Sequence, residues 1–409
     1  MKDSKLENFE FLYRDSDRKN IKLGISRIKN ALIKLGEPCL NVPASQIIGT
    51  NGKGSITAFL EKILSLSELN FGVTTSPHLL DISERIRVNT KKINKTTFEN
   101  LLRFNIETLS EFKLTPFELI ICCAMQYFDK KKVDLLILEA GLGGRLDATT
   151  AHKLSPIIAI GKIGFDHKEY LGETIEEITT EKIAVIEKGS YVVSSTQNKK
   201  VEKIIEDKIK EVGAKIFWVK PISENWKIGM DGDFQKENAA VAIGIINLLQ
   251  KLGWSIKKHT LKKAISETKW PGRLEIIKWQ NHKILVDAAH NETAAEVLAK
   301  ERQYWDKEAN GIFWILGVQK NKDIHKIIKL IVKPIDTILL VPVPNHPSWE
   351  LKDLKFLDKN HNLNIIEFKY FTDALDFLDL NKWPECNPVL TGSIFLVANF
   401  MKYVNQIKE

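Results

Sequence analysis

A chain that handles phosphate needs backbone N–H groups that can crowd around an anion and a cation to meet it. The segment Ile48-Gly49-Thr50-Asn51-Gly52-Lys53-Gly54-Ser55 offers both. Glycine reaches positive φ without steric cost, so such a turn can wrap closely. The segment follows a short apolar run. It opens a pattern in which Ile56, Phe59, Leu60, Ile63 and Leu64 recur at helical spacing. A helix N-terminus aims partial positive charge at the same anion. Lys53 could reach the terminal phosphates and the Ser55 hydroxyl a Mg²⁺. The spacing departs from the usual phosphate loop: position 47 is isoleucine, and Gly54 separates Lys53 from Ser55. A plain glycine-rich strand–helix turn is the alternative reading.

Other candidates stand just after apolar runs. Glu139 ends Val133–Glu139, and Asp287 follows Lys283–Val286. Open α/β sheets bind ligands beyond the carboxyl ends of their strands, so the Glu139 carboxylate is well placed for Mg²⁺; a charged strand end facing water is the plainer alternative. Ser76 follows Phe71–Thr75, and His167 follows Ile157–Ile163. Their types alone would not mark them as ligands, because Mg²⁺ favours charged or carbonyl oxygen.

These positions require strands that alternate with helices. Strands are expected at Gln46–Ile48, Val133–Leu138, Ile157–Ile160 and Tyr191–Val193, and helical patterns at Thr174–Ile186 and Glu237–Leu252. The alternation predicts a mainly parallel α/β sheet. Pro271 and Gly272 follow a long helical stretch, so a boundary is expected near Lys269–Arg273, dividing the chain into 1–270 and 271–409. A second α/β unit then reads as strand Lys283–Val286, a helix from about Thr293, and strands Ile312–Leu316, Thr337–Val341 and Ile365–Phe368.

At 409 residues the chain exceeds one ordinary core. Hydrophobic residues at 44% and charged residues at 27% fit a soluble globular protein. No apolar run approaches the roughly 20 residues of a membrane span. The opening MKDSKLENFE is too polar for a secretory signal, and the cytoplasm is the expected location. Cys39, Cys122, Cys123 and Cys386 have no metal or disulfide spacing. The net charge of +8 is spread along the chain and forms no basic stripe, which argues for anionic small substrates over nucleic acid.

The variant GTNGKGS, with further motifs in fixed order, resembles the folylpolyglutamate synthase and dihydrofolate synthase family of the Mur-ligase superfamily. The matches include Gly24-Ile25-Ser26-Arg27, Thr75-Ser76-Pro77-His78-Leu79, Glu84–Asn89, Thr115-Pro116-Phe117-Glu118 and Glu139–Thr149. They continue through Asp166-His167, Glu181-Lys182, Asn238, Pro271-Gly272-Arg273 and Asp287–Asn291. The resemblance implies an N-terminal ATPase-type domain with a phosphate loop and a smaller C-terminal Rossmann-like glutamate ligase domain. It implies a monomer that binds ATP and two Mg²⁺ ions and adds L-glutamate to dihydropteroate and folates through an acyl phosphate.

The same resemblance assigns ATP contacts to Thr50, Asn51, Gly52, Lys53, Gly54, Ser55, Asn238, Arg273 and Asp287, and Mg²⁺ to Ser76, Glu139 and His167. Lys182 matches a lysine carbamylated by CO₂, although Ile183-Ala184 stand where Ala-Gly is usual. Gly24–Arg27, Thr115–Glu118, Leu146, Asp147 and Ala148 match contacts to the pterin acid, with Arg87 and His78 offering polar contacts nearby. Thr115 and Glu118 also have the spacing of a helix capping box. Rival readings are a cell-wall ligase, which usually carries a UDP-binding domain before the phosphate loop, a nucleotide-dependent switch and, within the family, a monofunctional folylpolyglutamate synthase. Only 48 residues precede Gly49, which disfavours the first.

Overall fold

The computed structural model describes residues 23–305, 311–354 and 363–408, so the polar opening segment discussed above lies outside the described residues. The chain divides into two compact units. The first comprises residues 1–229 and 235–269, and the second residues 230–234 and 270–409.

The strands of the first unit are β1 (Ala44–Ile48), β2 (Phe71–Thr74), β3 (Ile86–Val88), β4 (Lys91–Lys92), β5 (Leu135–Glu139), β6 (Ile157–Ile160), β7 (Tyr191–Ser195) and β8 (Lys215–Val219). They form one sheet in the order β4-β3-β2-β5-β1-β6-β7-β8. All neighbours from β2 to β8 run parallel; only β3 and β4 are antiparallel additions. The central strands are buried on both faces, which explains the Leu and Ile runs of β5 and β6. Helices cover both faces. One core cluster gathers Phe128, Leu136 and Leu138 with Ile120 and Leu102, and another gathers Ile48, Ile158 and Ile160 with Ile178 and Ile205. Helix Gln235–Lys251 presses closely on β7: a Cβ on Gly244 would lie 2.6 Å from Val193 Cγ1.

The second unit contains β9 (Glu275–Trp279), β10 (His282–Val286), β11 (Phe313–Leu316), β12 (Thr337–Leu340), β13 (Asn364–Glu367) and β14 (Val389–Thr391). Its order is β13-β12-β11-β14-β10-β9, parallel except for the β9–β10 hairpin. The division after residue 270 misses Met230–Phe234. Those residues belong with the second unit because Phe234 packs on its core, and the Asp233 N–H donates to Glu301 Oε1 at 2.7 Å.

Candidate active site

The phosphate turn is built as a rigid ledge on the strand next to β1. The N–H groups of Thr50 and Asn51 both donate to the Lys162 carbonyl, at 2.9 and 3.0 Å. Thr50 Oγ1 donates to the Gly164 carbonyl at 2.9 Å and accepts from the Gly164 N–H at 3.1 Å. Thr50 therefore anchors the loop through both its N–H and its hydroxyl. The turn then reverses at Gly52, which has φ 86° and caps helix Lys53–Leu64. A Cβ there would sit 2.5 Å from Asn238 Oδ1, so Asn238 lies against the turn. The Ile56 N–H donates to the Gly52 carbonyl at 2.9 Å, so the capping glycine belongs to the first turn of that helix.

Two lysines close over this turn. Lys53 Nζ donates to the carbonyls of Gly49 and Thr50 at 3.0 and 3.1 Å. Lys182, on helix Ile175–Ile183, donates to the same Gly49 carbonyl at 3.1 Å and is only 3% exposed. Burial, helped by the charge of Lys53, pulls the Lys182 amine down to about 7 against the opposing carboxylates of Asp166, Asp147 and Glu181. Lys53 leaves positive charge at the turn for an anion to neutralise, whereas Lys182, lowered to about 7, is only partly protonated at neutral pH.

The strand ends beside the turn carry the proposed metal donors. Glu139 is the last residue of β5 and lies opposite Ile47 of β1, so it borders the start of the phosphate segment. Ser76 lies two residues beyond β2, which runs parallel to β5. A Cβ on Gly141 would meet Ser76 Oγ at 3.2 Å and Phe117 Cζ at 2.9 Å, so these three residues are in contact. Ser76 Oγ is buried and has no hydrogen-bond partner among the described residues. An orphaned hydroxyl near a buried strand-end carboxylate fits a hard cation. His167 has φ 50° and caps the short helix Lys168–Leu171, its Nε2 3.7 Å from Asp166 Oδ2. Among the described residues, no group of three or more His, Cys, Asp or Glu is placed to hold a metal.

The segments expected to hold the acid also meet. Arg27 forms an ion pair with Glu118 (Nη2–Oε1 3.1 Å), and Thr115 and Glu118 form the capping box of helix Pro116–Lys130. Glu118 thus performs the structural role its spacing allows, while Phe117 reaches Gly141 beside Ser76. Asp147 turns inward. Its Oδ2 accepts from the N–H groups of Gly141 and Leu142, both at 2.8 Å, and its Oδ1 accepts from the Thr149 N–H and hydroxyl. Burial pushes the Asp147 carboxyl up, and these donors pull it back. Ala148 opens the turn Ala148–Ala151, and Leu146 is partly exposed on the same loop. The Nε and Nη2 of Arg87 bind Glu61 at 2.8–3.1 Å. His78 Nδ1 accepts from Arg85 Nε at 2.9 Å.

In the second unit Asp287 follows β10 and accepts from the N–H groups of Leu274 and Ala289, at 3.0 and 2.8 Å. Burial raises its carboxyl, and the nearby Arg273 charge counters that rise. Arg273 Nη1 donates to the Gly272 carbonyl at 3.0 Å. Asn291 caps helix Glu292–Glu301, accepting from the Ala294 N–H.

The family model for the dihydrofolate synthetase C-terminal domain matches residues 273–345. The dihydrofolate synthetase of Saccharomyces cerevisiae is 31% identical, covering 94% of this chain and 98% of its own. The dihydrofolate synthase/folylpolyglutamate synthase of Buchnera aphidicola subsp. Schizaphis graminum is 30% identical, covering 97% of this chain and 94% of its own. The chain belongs to the dihydrofolate synthase/folylpolyglutamate synthase family. It is an ATP-dependent glutamate ligase. A bifunctional folylpolyglutamate synthase/dihydrofolate synthase from Yersinia pestis, complexed with AMPPNP and Mn ion, shares the fold with a TM-score of 0.83. It is 24% identical and covers 98% of this chain and 97% of that one.

Within this synthase fold some supporting residues escaped sequence reasoning. Gln46 Nε2 donates to Thr149 Oγ1 and Thr150 Oγ1, at 3.1 and 2.7 Å, tying β1 to the Asp147 loop. A Cβ on Gly144 would lie 2.1 Å from the Lys182 carbonyl, so that loop runs directly against the helix of Lys182. The glycine-rich run from Gly141 to Gly144 signals close backbone approach but does not name the partner.

Proposed function

We propose that the chain joins L-glutamate to dihydropteroate and to tetrahydrofolate-type folates through an acyl phosphate. One observation carries this reading: Lys53 and Lys182 converge on the Gly49 carbonyl above a left-handed glycine that opens a helix. That arrangement suits the phosphates of ATP. Lys53, Gly54 and Ser55 would present first-turn N–H groups and Asn238 would lie beside Gly52, while Thr50 and Asn51 hold the ledge. Arg273 and Asp287 would contribute nucleotide contacts from the second unit, whose proposed role is glutamate ligation.

The carboxylate oxygen of the acid attacks the γ-phosphorus, and the bond to the β–γ bridging oxygen breaks to release ADP. Lys53 and the helix N-terminus stabilise charge on the transferring oxygens. The amino group of glutamate then attacks the acyl carbon, loses a proton, and expels inorganic phosphate to leave an amide. Ser76, Glu139 and His167 would hold two Mg²⁺ ions, which supply further charge neutralisation on the phosphates. Gly24, Ile25, Ser26, Arg27, Thr115, Pro116, Phe117, Glu118, Leu146, Asp147 and Ala148 would wall the acid, with Arg27, Glu118 and Asp147 keeping that wall rigid. An amine that titrates near 7 is unprotonated often enough to react with CO₂, which supports carbamylation of Lys182. The reading extends to a cytoplasmic monomer without nucleic-acid or membrane partners. Among the described residues no helix is long and apolar enough to cross a membrane.

The test is ADP release by purified protein with dihydropteroate or tetrahydrofolate, glutamate supplied or withheld. Both acids are expected to support glutamate-dependent release. The match to a dihydrofolate synthetase model and to the yeast enzyme favours a narrower second reading, in which only dihydropteroate does so. Release with neither acid overturns both.

A further inference from the structure

Among the buried groups that this mechanism leaves unused, one pair joins two parts of the site. Glu61 lies on the helix whose N-terminus is the phosphate turn, and Arg87 lies on β3. Their side chains are 9% and 7% exposed, and they pair at 2.8 Å. The third arm of the guanidinium does not go to Glu61. Arg87 Nη1 donates to Thr75 Oγ1 at 2.9 Å and to the Glu84 carbonyl. Thr75 also donates its N–H to the Arg85 carbonyl at 3.3 Å, so it is held from two directions. The next residue is Ser76, with its orphaned buried hydroxyl.

We propose that Arg87 and Glu61 are positioning residues that fix Ser76 relative to the phosphate-turn helix, so that a divalent cation meets its serine donor and the nucleotide phosphates together. The proposal rests on Ser76 being a metal donor in the reading above. Burying two charges is costly, and an apolar pair of similar volume often stabilises a fold equally well. What an apolar pair cannot do is hold a helix and a neighbouring threonine at fixed directions through one planar fork. Guanidinium geometry supplies that fork, and a lysine ammonium does not.

The experiment measures Mn²⁺ binding to the full-length protein with ADP by electron paramagnetic resonance, and ADP binding in the absence of metal by calorimetry. Four proteins are compared: wild type, Ser76→Ala, Arg87→Lys, and the double variant Glu61→Leu/Arg87→Met. The double variant provides a folded protein should a lone buried charge prevent folding. Supporting groups around metal ligands are typically worth about 10- to 100-fold in affinity. Arg87→Lys and the double variant are expected to weaken Mn²⁺ by at least about tenfold while leaving metal-free ADP affinity within about twofold. Loss of ADP and Mn²⁺ affinity in equal measure points to general collapse and overturns the proposal. Normal Mn²⁺ binding in a folded Arg87 variant, with weakened binding in Ser76→Ala, overturns the proposal but spares the metal reading. Normal Mn²⁺ binding in Ser76→Ala removes the metal role of Ser76 and the proposal with it.

Discussion

The two units solve a similar local problem with different means. Each follows a strand, β5 in the first sheet and β10 in the second, with a loop braced by a buried aspartate. Asp147 braces the first with four bonds, from the N–H groups of Gly141, Leu142 and Thr149 and the Thr149 hydroxyl. Asp287 braces the second with two, from Leu274 and Ala289. The first unit adds two lysines over a helix-opening glycine, whereas the second sets a single arginine near its aspartate. The contrast shows where positive charge is concentrated. In the first unit two lysine amines meet at one backbone carbonyl. The second has a buried carboxylate already balanced by its neighbours.

That contrast can be broken most sharply at the lysines. Lys53→Ala should lower kcat by about 10³-fold or more with an unchanged circular dichroism spectrum, while Arg273→Lys should lower it by only about tenfold. Similar losses in steady-state assays would remove the asymmetry. Next come the aspartates. Asp147→Ala should cost about 3 kcal/mol in urea unfolding and Asp287→Ala about 2, because more buried donors lose their acceptor. An equal or reversed order would show that the count of donors does not govern these loops.

Gly52→Ala forces a Cβ toward Asn238 at a φ of 86°, and should cost about 1–3 kcal/mol with weakened nucleotide binding in calorimetry. A variant that binds ADP like wild type would mean the turn relaxes easily. A further test concerns pH. The Lys182 amine falls from 10.5 to about 7 on folding, so between those values the unfolded chain holds one more proton. Stability therefore rises with pH across that window, by up to about 1.4 kcal/mol per unit. Lys182→Met should flatten that rise when urea midpoints are compared at pH 7 and pH 9, and a slope unchanged from wild type would contradict it.

The buried central strands were the most legible features. Gln46–Ile48 is extended by two residues to Ala44, Ile157–Ile160 coincides with β6, and Thr174 proves to be the cap of helix Ile175–Ile183. Their continuous apolar runs and capping residues carry the information locally. The glycine turn that opens helix Lys53–Leu64 was legible for the same reason, since glycine, lysine and the following helix are adjacent in sequence. Long-range pairing was not. Nothing in the residue types indicates that Arg87 turns to Glu61, that the Thr50 N–H meets Lys162, or that Arg302 and Asp336 form a buried pair in the second unit. A charged side chain looks the same in sequence whether it faces solvent, substrate or a distant partner. The hairpin between β9 and β10 was also hidden, because its turn places Gln280 at φ 51° without a glycine to announce it.

The five residues Met230–Phe234 carry a consequence for anyone who would divide this protein. The polypeptide enters the second unit, leaves it, and returns only at Trp270. A fragment started at that tryptophan would lack Phe234 from its core and the Asp233 amide and carboxylate that engage Glu301 and Tyr304. Severing the backbone at the obvious Pro-Gly joint would thus leave one half with a missing tooth, and an intact small half would require those five residues to be grafted back on.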